Sequence, residues 1–227
     1  LVWLMSDVCF HVCFKKGGFV LLEQRITMAH GAGGAVTNDL IRRYVLKYLG
    51  GSGAEVPLEA LDDAAVINDI VLKSDSHAVK PLFFPGGDIG RLAVTGTVND
   101  IAALGAEPVA LTSGFVLEEG LAIADFERIV RSMGETCKEA GVYVVTGDTK
   151  VVEKGSLAGC VINTSGIGRR NQALEHNILV VKRHRQQFNS RWLLDSNLRP
   201  RDKIILSGTI GDHGLAVLSS REGYGFG

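Results

Sequence analysis

Residues 74–108 read SDSHAVKPLFFPGGDIGRLAVTGTVNDIAALGAEP, and this stretch decides the fold. Its first residue closes a predicted strand over residues 70–74. In its centre, Asp88 is placed to cap a long, mostly apolar helix over residues 89–104, and Gly105 ends that helix. Another strand is predicted directly afterwards, over residues 109–117. A strand, a helix and a strand in this order predict a sheet covered by helices.

The residues before this stretch continue the pattern. The turn Asn68-Asp69 separates the strand over residues 70–74 from a further strand over residues 64–67. Earlier in the chain, Thr37 is placed to cap a helix that Gly50-Gly51 ends. Strands and helices therefore alternate from the start of the regular pattern.

The residues after this stretch also alternate between predicted helices and strands. Asp125 is placed to cap an amphipathic helix, and Gly141 ends it. Its apolar face is predicted to carry Phe126, Ile129, Val130 and Met133. Strands over residues 142–145 and 157–167 complete the unit. The predicted fold class is α/β, in the broad sense that includes α+β.

The chain is predicted to contain four parts. They are an extension of unclear status (1–25), an N-terminal domain (26–168), a polar and basic linker or insertion (169–192), and the start of a second domain that is only partly present (193–227). In the last part we predict a strand over residues 203–206 and a helix over residues 215–219. One strand and one helix cannot bury their apolar faces alone.

Composition narrows the class of protein. The 227 residues carry a net charge of -1 and are 46% hydrophobic, which is typical of a globular protein and supplies no general field for nucleic acid. The basic run over residues 182–185 is interpreted as a solvated loop. The four scattered cysteines favour a reducing, cytoplasmic location. We expect neither a nucleic-acid partner nor a membrane span.

Acidic residues at the ends or inside apolar segments are the strongest chemical signal. They are Asp62, Asp63, Asp75, Asp88, Asp100 and Asp148. Asp100 lies in a helix that is apolar on nearly every face, so its carboxylate requires a cation. Lys150 or an arginine could form an ordinary ion pair with it, but the acids outnumber the nearby bases. Together they favour Mg²⁺ bound with substrate phosphates.

Glycine-rich loops are the second signal. The chain has neither a GxxxxGK[ST] loop nor a GxGxxG motif placed between a strand and a helix. The glycines whose backbone N–H groups could approach phosphate oxygens are Gly31, Gly33, Gly34, Gly86, Gly87 and Gly147. Each of them taken singly is more often a turn residue. Three histidines, His30, His77 and His213, are predicted in loops, with His213 favoured slightly because GDHG begins a helix.

The order of these motifs resembles one family. HGAGG (30–34), DDAAVI (62–67), the stretch 74–108, GDTKVV (147–152) and LRPRDKIILSGTIGDHGLAVLSSREG (198–223) are similar to the hydrogenase maturation proteins of the HypE type. The resemblance covers residues 26–168 and 193–223. It implies the PurM-like superfamily, which also holds aminoimidazole ribonucleotide synthetase, and a two-domain subunit that dimerises through its N-terminal sheet.

The resemblance also implies site residues. It implies Asp63, Asp75, Asp100 and Asp148 as metal and phosphate ligands, and Gly33, Gly34, Gly86, Gly87, Gly147, Thr149 and Lys150 as residues near the nucleotide. Asp88 and Lys150 are the candidates for a catalytic role. The implied cofactors are ATP and Mg²⁺, bound where two subunits meet.

The activity implied by the resemblance is an ATP-dependent dehydration. HypF attaches a carbamoyl group to a C-terminal cysteine, ATP phosphorylates the carboxamide oxygen, and loss of phosphate leaves a thiocyanate. The cyanide then passes to iron held by HypC and HypD. The acceptor cysteine is absent from this chain, since none of its four cysteines occupies an equivalent place.

Three other interpretations stay open at this point. The first is another ATP-dependent kinase or synthetase of the superfamily. The second is a catalytically silent module for dimerisation or docking. The third is an α/β domain whose acidic residues are all helix caps or ion-pair partners.

Overall fold

A computed structural model describes residues 14–15, 18–19 and 25–221. The chain divides into two compact units, residues 1–50 and 51–227, and each is described by itself. Cys9, Cys13, most of the predicted extension and the last glycines lie outside the described residues. Within the described ranges, no helix has the length and apolar character needed to cross a membrane.

The first unit contains short elements. They are β1 (Phe14–Lys15), β2 (Gly18–Phe19), α1 (Ala35–Leu40), a π-helical segment (Ile41–Val45) and α2 (Leu46–Leu49). β1 and β2 are antiparallel. The helical segment ends at Gly50, as predicted. It begins earlier than predicted, so the assignment of Thr37 as its cap is wrong, because the chain already turns into the helix at Gly34, whose φ is 79°.

The second unit is built on a five-stranded sheet. The strands of this unit are, in chain order, β3 (Ala65–Ile67), β4 (Ile70–His77), β5 (Phe83–Phe84), β6 (Gly87–Asp88), β7 (Ala106–Glu118), β8 (Tyr143–Val152) and β9 (Cys160–Arg170). The order across the sheet is β3-β4-β9-β7-β8, and β5 and β6 form a separate hairpin. Only β7 and β8 are paired in parallel within this sheet. The turn predicted at Asn68-Asp69 is confirmed, since both residues have positive φ angles between β3 and β4.

Helices cover one face of this sheet. The helices of the unit are α3 (Ile89–Ala103), α4 (Ile123–Ala140), α5 (Gln172–His184) and α6 (Asp212–Ser219). α3 packs on β4, β7 and β9 and against α4. α3 confirms the prediction for residues 89–104 to within one residue. α4 ends at Gly141 as predicted, but it begins at Ile123, so Asp125 lies in its first turn and is not its cap.

Two glycines of β9 bring α3 close to the sheet. A Cβ at Gly168 would lie 2.3 Å from Ile101 Cγ2, and one at Gly166 would lie 2.7 Å from Ile101 Cδ1. Beside them, the hydroxyls of Thr97 and Thr164 are 2.6 Å apart in a buried hydrogen bond. The side of the sheet that carries Thr164, Gly166 and Gly168 is therefore the covered side, called here the helix face. The other side, which carries Leu72, Ser74, Ser165, Ile167 and Asp148, is called the open face.

The prediction that residues 169–192 form a linker is not matched by their secondary structure. Residues 169–170 continue β9, and α5 follows with Leu174 and Ile178 buried. Trp192 is 1% exposed and belongs to the same apolar cluster as Val71, Ile101 and Leu104. The basic run over residues 182–185 is helical up to His184, and Arg185 pairs with Asp202, so the predicted solvated loop is wrong. The division of the chain into domains stays a prediction.

The strand predicted over residues 203–206 is also absent. Ile204 and Ile205 are 80% and 90% exposed, and residues 202–206 have no regular secondary structure. Their sequence has the composition of a strand, but no strand among the described residues lies beside them to pair with. α6, in contrast, forms as predicted and begins three residues earlier, after Gly211.

Candidate functional site

A carboxylate pair lies where β4 meets α3. Alternate residues of a strand point to the same face, so Lys73, Asp75 and His77 all project toward α3. Lys73 Nζ lies 2.5 Å from Asp100 Oδ2, with both side chains more than two-thirds buried. The cation expected beside Asp100 is therefore present, but it is Lys73 and not Lys150 or an arginine. Asp75 shares this region, because its Oδ2 lies 3.3 Å from the position that a Cβ at Gly96 would occupy.

His77 completes the group, and its prediction as a loop residue is wrong. It is the last residue of β4 and is 7% exposed. Its Nε2 lies 3.6 Å from Asp75 Oδ2 and has no hydrogen-bond partner in the described part of the chain. Burial lowers the pKa of His77, although the carboxylates of Asp75 and Asp100 act in the opposite direction. The period-two spacing of Lys73, Asp75 and His77 is the signal that could have revealed this group.

The segment FFPGGD forms a turn beside α3. β5 and β6 are joined through Gly86, whose φ of 84° suits glycine. Asp88 then caps α3 as predicted, since its Oδ1 accepts hydrogen bonds from Gly90 N at 2.8 Å and Arg91 N at 3.0 Å. The predicted nucleotide-binding residues Gly86 and Gly87 are thus brought next to the helix that carries Asp100.

A cavity of about 500 Å³ lies next to this turn. Its lining includes Gly86, Gly87, Asp88, Arg91, Asn99, Asp212 and His213. His213 packs edge-on against Phe84, with ring centroids 5.4 Å apart. The segment GDHG, favoured in the sequence, forms the start of α6, so the prediction of His213 as a loop residue is wrong, and this segment faces the PGGD turn across this cavity. Gly96 also lines the cavity and contacts His77 and Asp75 on its other side, so the acidic group and the cavity are neighbours.

The segment GDTK lies on another part of the sheet. The pairing register places Asp75, Thr164, Ser113 and Gly147 in one row across β4, β9, β7 and β8. Three strand spacings separate Asp75 from Gly147, which is about 14 Å. Asp148 follows Gly147 and so points to the open face, together with Lys150. Within one chain, Asp148 and Lys150 are therefore not brought to Asp75 and Asp100.

Gly147 itself has a packing role. A Cβ there would lie 2.0 Å from the carbonyl oxygen of Ser113 in the neighbouring strand. A groove of about 940 Å³ between α4 and β8 is lined by Ser113, Cys137, Gly147 and Thr149, among others. Ser113 Oγ is buried there without a hydrogen-bond partner among the described residues. Cys137 also faces this groove, and burial raises the pKa of its thiol.

The remaining predicted residues are dispersed. Asp63 is exposed just before β3, and its N–H donates to Asp62 at 3.0 Å. Burial raises the pKa of Asp62, although the N–H groups of Asp63 and Asp195 act against this. Gly33 and Gly34 belong to the first unit and have φ angles of 77° and 79°. Among the described residues, no group of three or more His, Cys, Asp or Glu side chains is arranged to hold a metal ion.

Comparison with known proteins shows the structural class of the five-stranded sheet and its helices. Residues 61–170 match the family model described as AIR synthase related protein, N-terminal domain. This range runs from just before β3 to the end of β9 and contains the whole five-stranded sheet. The second unit therefore has the α/β fold of this PurM-like class, as predicted.

Curated relatives define the family. A putative hydrogenase expression/formation protein of Methanocaldococcus jannaschii is 46% identical over 212 residues, covering 89% of this chain and 56% of the relative. A protein named carbamoyl dehydratase HypE from Azotobacter vinelandii is 44% identical over 201 residues, covering 88% and 54%. Over the matched region the chain belongs to the HypE family of hydrogenase maturation proteins. It spans about half the length of the curated relatives it matches.

Solved structures agree with this assignment. A crystal structure of hydrogenase maturation protein HypE shares 45% identity and a TM-score of 0.59, covering 75% of this chain and 49% of that one. A crystal structure of a HypE-HypF complex shares 51% identity and a TM-score of 0.55, covering 59% and 43%.

Proposed function

We propose that this chain is the nucleotide-binding part of a HypE-type carbamoyl dehydratase, which uses Mg-ATP to remove a carboxamide oxygen. The observation that carries the proposal is the half-buried group of Asp75, Asp100 and Lys73 beside the PGGD turn. Lys73 pairs with Asp100 only, and a second partly buried carboxylate beside it, that of Asp75, is costly unless a ligand or metal uses it. Relatives that bear the name carbamoyl dehydratase support the same reaction class.

The residues at this place fit a magnesium ion with its phosphates. Mg²⁺ prefers a few carboxylate oxygens together with phosphate oxygens and water, and Asp75 and Asp100 supply such oxygens from two elements. His77 Nε2 is a buried polar atom beside these carboxylates, and it has no hydrogen-bond partner among the described residues. When bound, the ion would neutralise charge on the transferring phosphoryl group. Asp63 and Asp148 are proposed as further ligands.

The proposed reaction converts a cysteine thiocarboxamide into a thiocyanate. The γ-phosphoryl group of ATP is transferred to the carboxamide oxygen, which breaks its bond to the β-phosphate and releases ADP. The carbon–oxygen bond then breaks and the oxygen departs with phosphate, while of the two amide protons one ends on phosphate and one in solvent. Lys150 is proposed to stabilise the phosphoryl oxygens. Asp88 keeps one carboxylate oxygen beside its capping bonds, and we propose that this oxygen faces the substrate.

A homodimer is proposed through the open face of the sheet. Asp148 and Lys150 lie on the open face of β8, about 14 Å along the sheet from Asp75. We propose that the open faces of two subunits meet, which places Asp148 and Lys150 at the subunit interface, on the opposite side of the sheet from Asp75 and Asp100, so that their part in the site rests on the family resemblance alone. HypF is proposed as a further partner because one similar structure is a HypE-HypF complex. HypC, HypD and a cytoplasmic location are proposed on the family resemblance.

Calorimetric titration of ATP, with and without Mg²⁺, tests this proposal. The variants are Asp100→Asn and, as a control, Glu127→Gln, whose carboxylate lies on the exposed side of α4 and pairs with Arg131. We expect Mg²⁺-dependent binding in the parent chain and in Glu127→Gln, with at least a tenfold loss in Asp100→Asn. Absence of binding in the parent chain would favour the docking module. Equal binding in all three proteins would show that the nucleotide does not bind at Asp100.

A further inference from the structure

His77 is a buried polar residue to which the proposed reaction assigns no role. Its side chain is 7% exposed, and its Nε2 has no hydrogen-bond partner in the described structure. A buried polar atom without a partner is destabilising, so its presence requires an explanation. Among the described residues, the acidic group within 4 Å of this nitrogen is the carboxylate of Asp75, with Nε2 and Oδ2 3.6 Å apart.

Gly96 of α3 leaves the space that the imidazole of His77 occupies. α3 passes directly over the end of β4, and a Cβ at Gly96 would lie 2.6 Å from His77 Cε1. The same Cβ would lie 3.3 Å from Asp75 Oδ2. Gly96 lies in the interior of α3, where glycine is unfavourable compared with alanine. The absence of a side chain at Gly96 therefore serves the contact between the imidazole and the carboxylate.

The charged groups around the imidazole have identifiable partners. Lys73 Nζ is engaged by Asp100 Oδ2 at 2.5 Å, so this ammonium group already has a carboxylate partner. One oxygen of Asp75, Oδ1, accepts a hydrogen bond from the N–H of Ser76 at 2.9 Å. Its other oxygen, Oδ2, is the one that faces His77. Asp100 thus has a charged partner, whereas the nearest approach to Asp75 from within the fold is the imidazole of His77, 3.6 Å from Oδ2.

We propose that His77 is a positioning residue: when the divalent cation is bound, its Nε2–H closes the 3.6 Å separation, donates a hydrogen bond to Asp75 Oδ2 and orients this carboxylate toward the cation. This inference rests on the proposed function, because it assumes that Asp75 binds a metal ion with ATP. Hydrogen bonds of this kind to a metal-binding carboxylate commonly change metal affinity by about 10- to 100-fold. They change the affinity for the metal-free nucleotide much less, since they act on the ligand oxygen.

Binding of Mn²⁺, used as a paramagnetic probe in place of Mg²⁺, tests the proposal. The concentration of free Mn²⁺ is measured by electron paramagnetic resonance in the presence of ATP, and metal-free ATP binding is measured separately. The variants are His77→Leu, which removes the donor, and His77→Gln, whose amide nitrogen can replace Nε2. Thr136→Val is the control, because it alters a buried hydroxyl that bonds within α4.

The two His77 variants distinguish a role of His77 in orienting Asp75 from a role in packing alone. His77→Leu should weaken Mn²⁺ binding about tenfold, and His77→Gln and Thr136→Val should stay within about twofold of the parent chain. Gly96→Ala provides a second route, because the added methyl group displaces an intact imidazole from Asp75. It should weaken Mn²⁺ binding as His77→Leu does, with metal-free ATP affinity unchanged and thermal unfolding showing that the protein is folded.

Two results would overturn the proposal while the proposed function stands. The first is Mn²⁺ binding by a folded His77→Leu or Gly96→Ala variant that is as tight as that of the parent chain. The second is an equal loss in His77→Leu and His77→Gln, which would indicate packing of the ring as its only role. If the parent chain binds no Mn²⁺ with ATP, the proposed function itself fails and this inference fails with it.

Discussion

Single residues on one strand face define the candidate site. Lys73, Asp75 and His77 follow each other with period two, and α3 closes over them. The acidic residues were predicted from their apolar settings, because a carboxylate in such a segment requires a cation. The identity of that cation depends on which strand lies under α3. Lys73 was missed and His77 was predicted in a loop, because the strand was predicted to end at Ser74 and the period-two spacing beyond it was not used.

At the residue scale, Glu118 has an effect on stability that depends on pH. Its carboxylate accepts hydrogen bonds from the N–H groups of Gly155, Leu157 and Gly159 and so ties the loop between β8 and β9 to the end of β7. These N–H groups lower the pKa of Glu118. A carboxyl whose pKa is lower in the folded state stabilises the protein fully above its unfolded pKa, about 4.3. This stabilisation is lost as the pH falls through the lowered folded value.

We therefore expect Glu118→Gln to lower the melting temperature at pH 7 and to matter less at pH 3. Thermal unfolding followed by circular dichroism between pH 7 and pH 3 measures this difference. Glu119→Gln is the matched control, since its carboxylate accepts none of these three hydrogen bonds. A difference between Glu118→Gln and the parent chain that stays constant with pH would show that the charge of Glu118 is not involved.

At the scale of elements, local signals predicted some boundaries well. α3 was predicted to within one residue, because Asp88 and Gly105 are specific signals for the start and end of a helix. α5 was missed, although Leu174, Ile178 and Val181 have helical spacing, because polar and basic residues surround them. The strand predicted over residues 203–206 failed for the opposite reason. Its residues have a high β-propensity, but a strand also needs a neighbouring strand with which to form hydrogen bonds.

Trp192 tests whether the segment that contains α5 belongs to the folded core. Its side chain is 1% exposed and packs in the cluster with Ile101, Leu104 and Leu174. We expect Trp192→Ala to lower the free energy of unfolding by about 3–5 kcal/mol. Leu179→Ala, at a position of α5 that is 55% exposed, should change it by less than about 0.5 kcal/mol. Urea denaturation measures both, and a small effect of Trp192→Ala would restore the linker interpretation.

At the scale of the whole molecule, the open face is the feature that a single chain leaves unexplained. Leu72 and Ile167 are directly paired neighbours in β4 and β9 and remain 41% and 42% exposed. Exposed apolar side chains in a group are typical of a surface that binds another protein. The sequence could predict the strands, but the choice of face depends on register, which was seen only in the structure. The proposed dimer follows from this face.

We expect Leu72→Lys to convert a dimer into a monomer, because it would place two like charges at the apolar centre of the proposed interface. Sedimentation velocity measures the change. Leu179→Lys on α5 is the control and should leave the sedimentation coefficient unchanged. A monomeric parent chain, or a dimeric Leu72→Lys variant, would contradict the proposed interface.

The irregular pairing of β7 and β8 has a consequence for how this sequence tolerates change. Leu111 pairs with Val144 and Thr112 with Thr146, so Val145 is an extra residue in β8. Because the extra residue is accommodated at this point, Gly147 meets Ser113 and Asp148 points to the open face. Deleting Val145 would remove the irregularity and leave the later pairs in register, whereas deleting a residue between Thr146 and Val152 would reverse every later side chain of the strand. The number of residues in this later part of β8 is therefore more tightly constrained than the identity of Val145.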